Sequence, residues 1–519
     1  MNAVPWYQRP IVAALAFLAV CMAMILLRPL LPVDETRYLT VAWEMWTTGS
    51  PVVPHLNGAV YSHKPPLLFW IINLVWTVTG PSEIAARMVG PAAGAVAVVL
   101  TGRLARALWP DAPERAAGAA WMLATGGAFL AFGSATMFDT LLTVATLSAL
   151  LALWSLAQRP TRGATALLGA ALAFGVLAKG PVILIHVLPV ALLLPLWRPQ
   201  VTGPPVTAFL RAVGLAVLLA LGLVALWLVP ALVFGDAGYR NDILWRQTAG
   251  RMVESFAHQR PVWFFLALMP MFLWPWGWRR EVAALWPRPF TPQARFLVIW
   301  SGAALLAFSL VSGKQIHYLV PELPALALLL SGALRQDSAR WTRFATMIPA
   351  VLILLAGVAI AAGLLSPKAL EGNRVGLVEL ALATVGIGTA LVLVGLARNR
   401  LAALVPVAPV TLMAVHLLAF QTLWVTNNPG RLAPLLAAHA PGGIATTDPS
   451  YAGQFSFAAR LPEPVRVLPD AAALADWIAA HPQGLLLARA ALDTAGLRLL
   501  QQDRLHGDDW FVYQVGGGS

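Results

Sequence analysis

At 519 residues, with 59% hydrophobic and 11% charged side chains and a mean hydropathy of +0.73, the chain is far too apolar for a soluble protein, in which about 25% of residues carry charge. Its formal charge of +12 would suggest a nucleic-acid partner in a soluble protein. In a membrane chain it follows from basic residues gathering at cytoplasmic helix ends, and no nucleic-acid partner is expected. The single cysteine, Cys21, lies in the first apolar run, which excludes an intrachain disulfide and a cysteine metal site.

Apolar runs of about 17 to 25 residues, without the two-residue alternation of a barrel, predict a polytopic α-helical membrane protein. The first run, 11–27, follows Arg9 and has no small-residue cleavage site after it, so a retained signal-anchor helix is expected. A first extracytoplasmic loop, 28–85, comes next. Its segment 32–70, PVDETRYLTVAWEMWTTGSPVVPHLNGAVYSHKPPLLFW, gathers Asp34, Glu35, Tyr38, His55, Tyr61, His63 and Lys64 between hydrophobic segments. Spanning requires no such cluster, and the stretch reads as the floor of an active site.

Residues 34–48 have the pattern of an interfacial helix, with Asp34 placed to cap it and Trp43 and Trp46 as interface anchors. The apolar segment 67–80 follows Pro65-Pro66 and is too short to span, so a second interfacial helix is expected. Further spans are predicted near 86–108, 116–134, 138–157, 164–178, 181–197, 210–234, 262–277, 295–312, 317–334, 345–365, 376–397 and 402–424, thirteen with the first. With a cytoplasmic N-terminus, one set of loops then receives Arg103, Arg106, Arg115, Arg159, Arg162, Arg198, Arg211, Arg279, Arg280, Arg335, Arg340, Arg398 and Arg400. That is a strong positive-inside pattern. The opposite face receives Asp34, Glu35, Lys64, Asp139, Lys179, Lys314, His317 and the loop 235–261.

Only four of the 35 basic residues are lysines, and Lys64, Lys179 and Lys314 sit in the Gly/Pro-punctuated motifs HKPP, AKGP and SGKQIHY. A lysine is a compact point charge suited to phosphate, so this placement favours a polyanionic ligand over chance. The loop 235–261 carries Arg240, Arg246, Arg251, His258 and Arg260 against the positive-inside trend. Ligand binding is one reading of it, and a solvated loop with incidental charge is the plain one. Asp34 and Glu35 are adjacent, so on a helix they diverge by about 100° and only one can face a cavity while the other caps or pairs. Asp139 stands alone at the outer start of a span, where an N-cap is the structural alternative. Two carboxylates among cations suit chemistry on a phosphate-linked substrate, the carboxylate as base or acceptor guide and the cations on the leaving phosphate. Asp34, Glu35 and Asp139 are also the oxygen ligands that a divalent cation would use. His55 and His63 are too far apart for a helical metal pair.

Past residue 424 the composition shifts. Residues 1–428 are read as the transmembrane domain and 429–515 as a small extracytoplasmic α/β domain, with a linker-like GGGS at 516–519 set aside. GGIATTD, PVRVLP, GLLLARA and DDWFVYQV read as strands, and AALADWIAAH and AGLRLLQQD as helices.

DETRY, YSHKPPLLFW, FDTLLT, LAKGP and HYLVPELPALALLL, in that order, resemble the aminoarabinose lipid A transferase family of the GT-C superfamily, which uses polyprenyl-phosphate sugars and includes the protein mannosyltransferases. The resemblance runs the length of the membrane region and implies thirteen spans with a periplasmic α/β domain, in a bacterial inner membrane. It further implies that Asp34 is the catalytic aspartate with Glu35 beside it, and Asp139 the second carboxylate of the cavity. Tyr38, Tyr61 and Lys64 would line the donor phosphate site. Lys179 matches the KGP lysine, Arg251 a loop arginine near the phosphate, and Tyr318, after His317, the tyrosine before the LP-rich span. The implied reaction is sugar transfer, with inversion, from an undecaprenyl-phosphate-type donor to lipid A, lipopolysaccharide or another envelope glycan. The apolar KPPLLFW continuation and the short C-terminal domain leave other sugars and acceptors open, protein O-mannosylation among them. A lipid-linked-sugar transporter is the alternative of a different class. Transporters, however, place ionisable groups at the midplane of repeated halves, whereas here the charges line one face and no repeat is found.

Overall fold

A computed structural model of the chain describes residues 9–198, 204–244, 259–278 and 290–333, scattered positions between 347 and 388, and 404–516 with short gaps. The span expected near 376–397 falls largely outside the described residues, that near 345–365 is described only at interrupted positions, and Arg251 lies outside them. Helix α1 (Pro10–Leu26) begins at a proline, whose fixed φ suits a first turn. Helix α2 (Asp34–Thr48) follows and ends at Gly49 in the left-handed region. A two-stranded hairpin, β1 (His55–Leu56) and β2 (Ala59–Val60), separates it from α3 (Leu67–Thr79). Glu44 of α2 organises the hairpin turn by accepting from the backbone amides of Asn57 and Gly58.

Helices α4 (Glu83–Arg87) and α5 (Val89–Leu108) form the next stretch. Then come α6 (Pro113–Ala124), α7 (Gly127–Gly133), α8 (Asp139–Gln158), α9 (Arg162–Lys179), α10 (Ile183–Leu192) and the single turn α11 (Leu194–Trp197). The stretches Glu83–Leu108, Asp139–Gln158, Arg162–Leu192, Val206–Phe234 and Pro292–Leu310 are, among the described residues, long and apolar enough to cross a membrane. The pair α6 and α7, bent by 59°, adds a sixth. Helix α12 (Val206–Phe234) presents the clearest lipid-facing surface of these: Leu215, Leu218, Leu221, Leu226, Val229 and Val233 are all exposed on it, a surface that water would not tolerate.

The Arg162–Leu192 stretch does not run straight through. Gly180 takes φ +75, which breaks the helix after Lys179. Lys179 meets Asp139 at the start of α8, whereas Trp197 stacks on Trp154 with ring centroids 5.6 Å apart. Asp139 and Trp154 are separated by about 22 Å along α8 at 1.5 Å per residue. The chain therefore runs along α9 towards Asp139 and returns along α10 and α11. Close packing in the bundle rests on missing side chains: a Cβ at Gly94 or Gly133 would come within 2.6 Å of the Phe17 ring, so α1 seats directly on α5 and α7.

Helix α13 (Ala237–Asn241) is capped by Asp236, and α14 (Phe264–Leu273) and α15 (Pro292–Leu310) follow. The segment expected as a span over 317–334 opens instead as a 3-10 turn, Ile316–Glu322, before α16 (Leu323–Leu330). Pro321 and Pro324 lack the amides that an unbroken α-helix needs there. Helix α17 (Val407–Phe420) precedes the C-terminal unit.

Beyond it, α18 (Ala433–His439) and α19 (Ala471–Ala480) pack with a five-stranded mixed sheet of order β4-β3-β5-β7-β6. Its strands are β3 (Ile444–Thr446), β4 (Arg466–Val467), β5 (Leu485–Ala488), β6 (Leu497–Leu505) and β7 (Asp508–Val515), with β3 parallel to β4 and β5, and β7 antiparallel to β5 and β6. β6 corrects the helix expected at AGLRLLQQD. Its leucines and glutamines favour a helix locally, but pairing with the buried β7 from Leu497↔Val515 to Leu505↔Asp508 prevails, with an irregularity at Leu499/Gln501.

Candidate active site

Asp34 and Glu35 open α2 and part company there. Val33 takes the cap position without a side-chain bond, so Asp34 does not cap the helix as its position suggested. Its side chain remains 47% exposed, with Arg37 3.8 Å away as a loose neighbour. Glu35 points the other way and is buried. Its carboxylate ion-pairs with the Arg28 guanidinium through both oxygens, and accepts from the amides of Leu31 at 3.0 Å and Thr136 at 2.8 Å. Burial pushes this carboxyl up. The charges and hydrogen bonds of Arg28, with Arg87 and the Leu31 amide, outweigh burial and hold it at about 2. Arg28 also donates to the Ser134 carbonyl at 2.9 Å, and Arg87 donates to the carbonyls of Arg28 and Pro29 at 3.1 Å. Glu35, expected beside Asp34 as a catalytic carboxylate, is thus corrected to a structural anchor, because all four of its acceptor positions are filled. Arg28 and Arg87, which the sequence reading passed over, complete that anchor.

The anchor fixes where the second carboxylate stands. Ser134 and Thr136 immediately precede α8, whose first residue is Asp139, so one network ties the starts of α2 and α8 together. Asp139 is buried, and its Oδ1 lies 2.5 Å from Lys179 Nζ at the end of α9. It is not an N-cap, since Phe138 takes that position with no side-chain bond. The Lys179 ammonium also stands 5.2 Å over the Tyr318 ring, and His317 packs edge-on against Tyr318 and Phe132. Lys64 approaches from the first loop, its ammonium 5.6 Å over the Phe138 ring. Asp139, Lys179, Lys64 and His317 all lie within one another's electrostatic reach, and Asp34 within that of His317.

Aromatic rings form the support. Tyr38 meets Phe138 edge-on at 4.9 Å and Phe69 at 6.4 Å, while Tyr61 stacks on His63 at 5.4 Å and meets Phe69 edge-on. Burial, reinforced by the Asp34 and Asp139 charges, raises the Tyr38 phenol well above its ordinary value, so it stays protonated. Ser62 donates to Asp242 Oδ2 at 2.7 Å and ties the first loop to the second. The structure thus gathers Asp34, Tyr38, Tyr61, Lys64, Asp139, Lys179, His317 and Tyr318 at one end of the bundle.

Other expected residues serve elsewhere. Lys314 is buried and donates to the carbonyls of Arg260, at 2.9 Å, and Val311, at 2.5 Å, which secures the end of α15. Its charge is spent on the backbone rather than on a polyanion. His55 belongs to the β1–β2 hairpin. The suggested metal set of Asp34, Glu35 and Asp139 does not converge. Glu35 is saturated by Arg28 and backbone amides and Asp139 is paired with Lys179, and among the described residues no group of three or more His, Cys, Asp or Glu side chains is placed to hold an ion.

The C-terminal unit covers this end. Thr40 and Trp43 of α2 donate to the carbonyls of Gly453 and Leu461, Asn57 exchanges two hydrogen bonds of 2.8 Å with the Val465 backbone, and Phe457 stacks on Trp76. The GT-C arrangement expected from the motifs is therefore a multi-pass helical bundle with its charged residues gathered under an α/β cover.

Known proteins share this fold. The crystal structure of ArnT from Cupriavidus metallidurans bound to undecaprenyl phosphate superposes with a TM-score of 0.80 over 98% of both chains at 20% identity, and its apo form with 0.77 over 97% of both. The chain has the GT-C membrane fold. Residues 13–242 match the dolichyl-phosphate-mannose-protein mannosyltransferase family model. Curated relatives include the undecaprenyl phosphate-alpha-4-amino-4-deoxy-L-arabinose arabinosyl transferases of Pseudomonas paraeruginosa, 34% identical over 58% of this chain and 55% of the relative, and of Yersinia pestis, 31% identical over 67% and 63%. In sequence the chain is thus similar to the aminoarabinose transferases whose motifs it resembles, and it spans between half and two thirds of those relatives' length.

Proposed function

We propose that this chain is an inverting glycosyltransferase that moves a sugar from undecaprenyl phosphate to lipid A or a related envelope glycan. The observation that carries the reading is the division of labour between carboxylates: Asp34 open, Asp139 locked to Lys179, with Lys64 and Lys179 on the same face. The bond from the anomeric carbon to the donor phosphate breaks as the acceptor oxygen bonds to the opposite face. Lys64 and Lys179 meet the charge that develops on the departing phosphate. Tyr38, Tyr61, His317 and Tyr318 shape the walls, and Arg251, outside the described residues, is assigned to the phosphate from the motif resemblance alone. A phosphate acceptor is already anionic, so Asp34 then orients the acceptor or the amino group of the sugar. A hydroxyl acceptor would give its proton to Asp34. Thirteen spans, a cytoplasmic N-terminus and a periplasmic site in the inner membrane complete the proposal, and the positive-inside pattern supports them. We assign residues 1–428 to the catalytic domain and 429–515 to the periplasmic cover.

The test is mass spectrometry of lipid A and core oligosaccharide from cells expressing wild type, Asp34→Asn or Lys64→Ala. A sugar-sized mass that only wild type adds supports the reading. Unchanged envelope lipids with folded protein present would remove lipid A as acceptor. The mannosyltransferase match favours one second reading, transfer to a protein hydroxyl, and glycopeptide analysis of the same cells addresses it.

A further inference from the structure

His186 of α10 and Glu322 at the end of the 316–322 turn form a short, direct Nδ1–Oε1 contact inside the bundle, and both side chains are buried. Nothing in the proposed transfer uses them. The remaining polar atoms, His186 Nε2 and Glu322 Oε2, find no hydrogen-bond partner among the described residues. Two ionisable groups placed in this way inside a membrane bundle are costly to keep and mark function more often than packing.

Their neighbours show what they hold. Glu322 lies four residues after Tyr318, and the 3-10 turn between them also carries His317. His186 lies seven residues after Lys179, on the helix that leaves the Gly180 break. The Phe308 ring joins the two regions, 5.7 Å from His186 and 5.5 Å from Tyr318, and Tyr318 lies under the Lys179 ammonium at 5.2 Å. One contact thereby fastens the segment bearing Tyr318 to the segment bearing Lys179.

We propose that His186 and Glu322 are a positioning pair, which sets Tyr318 and Lys179 against each other and so governs affinity for the phosphate of the lipid-linked donor. The inference rests on the donor reading above. The pair touches no substrate and acts only through those two residues. Breaking it lets the 316–322 turn drift from Lys179 while Asp34 and Asp139 keep their places.

The experiment uses the full chain in lipid nanodiscs, with undecaprenyl phosphate as the probe and both binding and melting temperature measured. The variants are Glu322→Gln, His186→Gln, the apolar double His186→Leu/Glu322→Leu, and Lys179→Ala as a reference. The double variant removes both polar partners together, which restores stability without restoring the tie. Expected is a loss of affinity of about tenfold, equal to about 1.4 kcal/mol, in Glu322→Gln and in the double variant, the latter melting near wild type. Wild-type affinity in a stably folded double variant, alongside weakened binding by Lys179→Ala, would overturn the positioning role and leave the donor reading intact. If wild type and Lys179→Ala bind equally or not at all, the donor reading falls and takes this inference with it.

Discussion

Asp139 and Lys179 meet at 2.5 Å although forty positions separate them in sequence, and both are nearly excluded from solvent. An ion pair buried to this degree needs both members, since removing one strands the other without compensation. Lys179→Ala should therefore cost about 3–5 kcal/mol of stability as well as transfer. Asp139→Asn combined with Lys179→Met should recover much of the stability and none of the activity. Thermal unfolding of the three proteins alongside a transfer assay separates the two effects, and a stable, active Lys179→Ala would refute the assignment.

Asp34 predicts the opposite pattern. Its half-open side chain has one loose partner, Arg37 at 3.8 Å, and an exposed pair of this kind contributes at most about 1 kcal/mol. Asp34→Asn should melt close to wild type while sugar transfer collapses. Equal losses of stability and activity would show that Asp34 acts through the fold rather than on substrate.

Glu35 gives a pH signature. Its carboxyl sits at about 2 in the folded protein against an ordinary value of 4.5, so the folded state favours the ionised form. The stabilisation is complete above pH 4.5 and fades as pH falls through about 2. Glu35→Gln should therefore be less stable than wild type at neutral pH, with the gap closing in acid across that window. Melting curves for both proteins from pH 7 downward test this, and a pH-independent gap would mean that the carboxylate is not the ionised anchor described here.

The contrast between Asp34 and Glu35 also marks how far the sequence could be read. Adjacent carboxylates on a helix must diverge, so one facing the cavity and one paired inward was legible from spacing alone. Which was which depended on Arg28 and Arg87, and their convergence on Glu35 is tertiary. The lysine motifs misled for Lys314, because it meets the backbone carbonyls of Arg260 and Val311 only once the chain is folded. β6 was hidden for a similar reason, as its partner β7 lies across a turn and outweighs local preference. His186 and Glu322 carried a signal that could have been used, since each is an ionisable residue inside an otherwise apolar run.

One of the ties that hold the cover is a side chain that mimics backbone. Asn57 sits at φ +52, and its amide both donates to the Val465 carbonyl and accepts from the Val465 amide, each at 2.8 Å. Asparagine tolerates the left-handed region better than most residues, and no shorter side chain reproduces both bonds. Asn57→Ala leaves two backbone groups of Val465 without partners and adds strain at the hairpin turn, a combined cost of about 1–3 kcal/mol. Because Thr40, Trp43 and Phe457 still hold the cover, the chain should remain folded while residues 453–467 open more often. Hydrogen exchange should accelerate in that segment and in the 55–60 hairpin, with the membrane helices unchanged. Exchange unaltered in both places would show that the Asn57–Val465 contact does not hold the cover over α2.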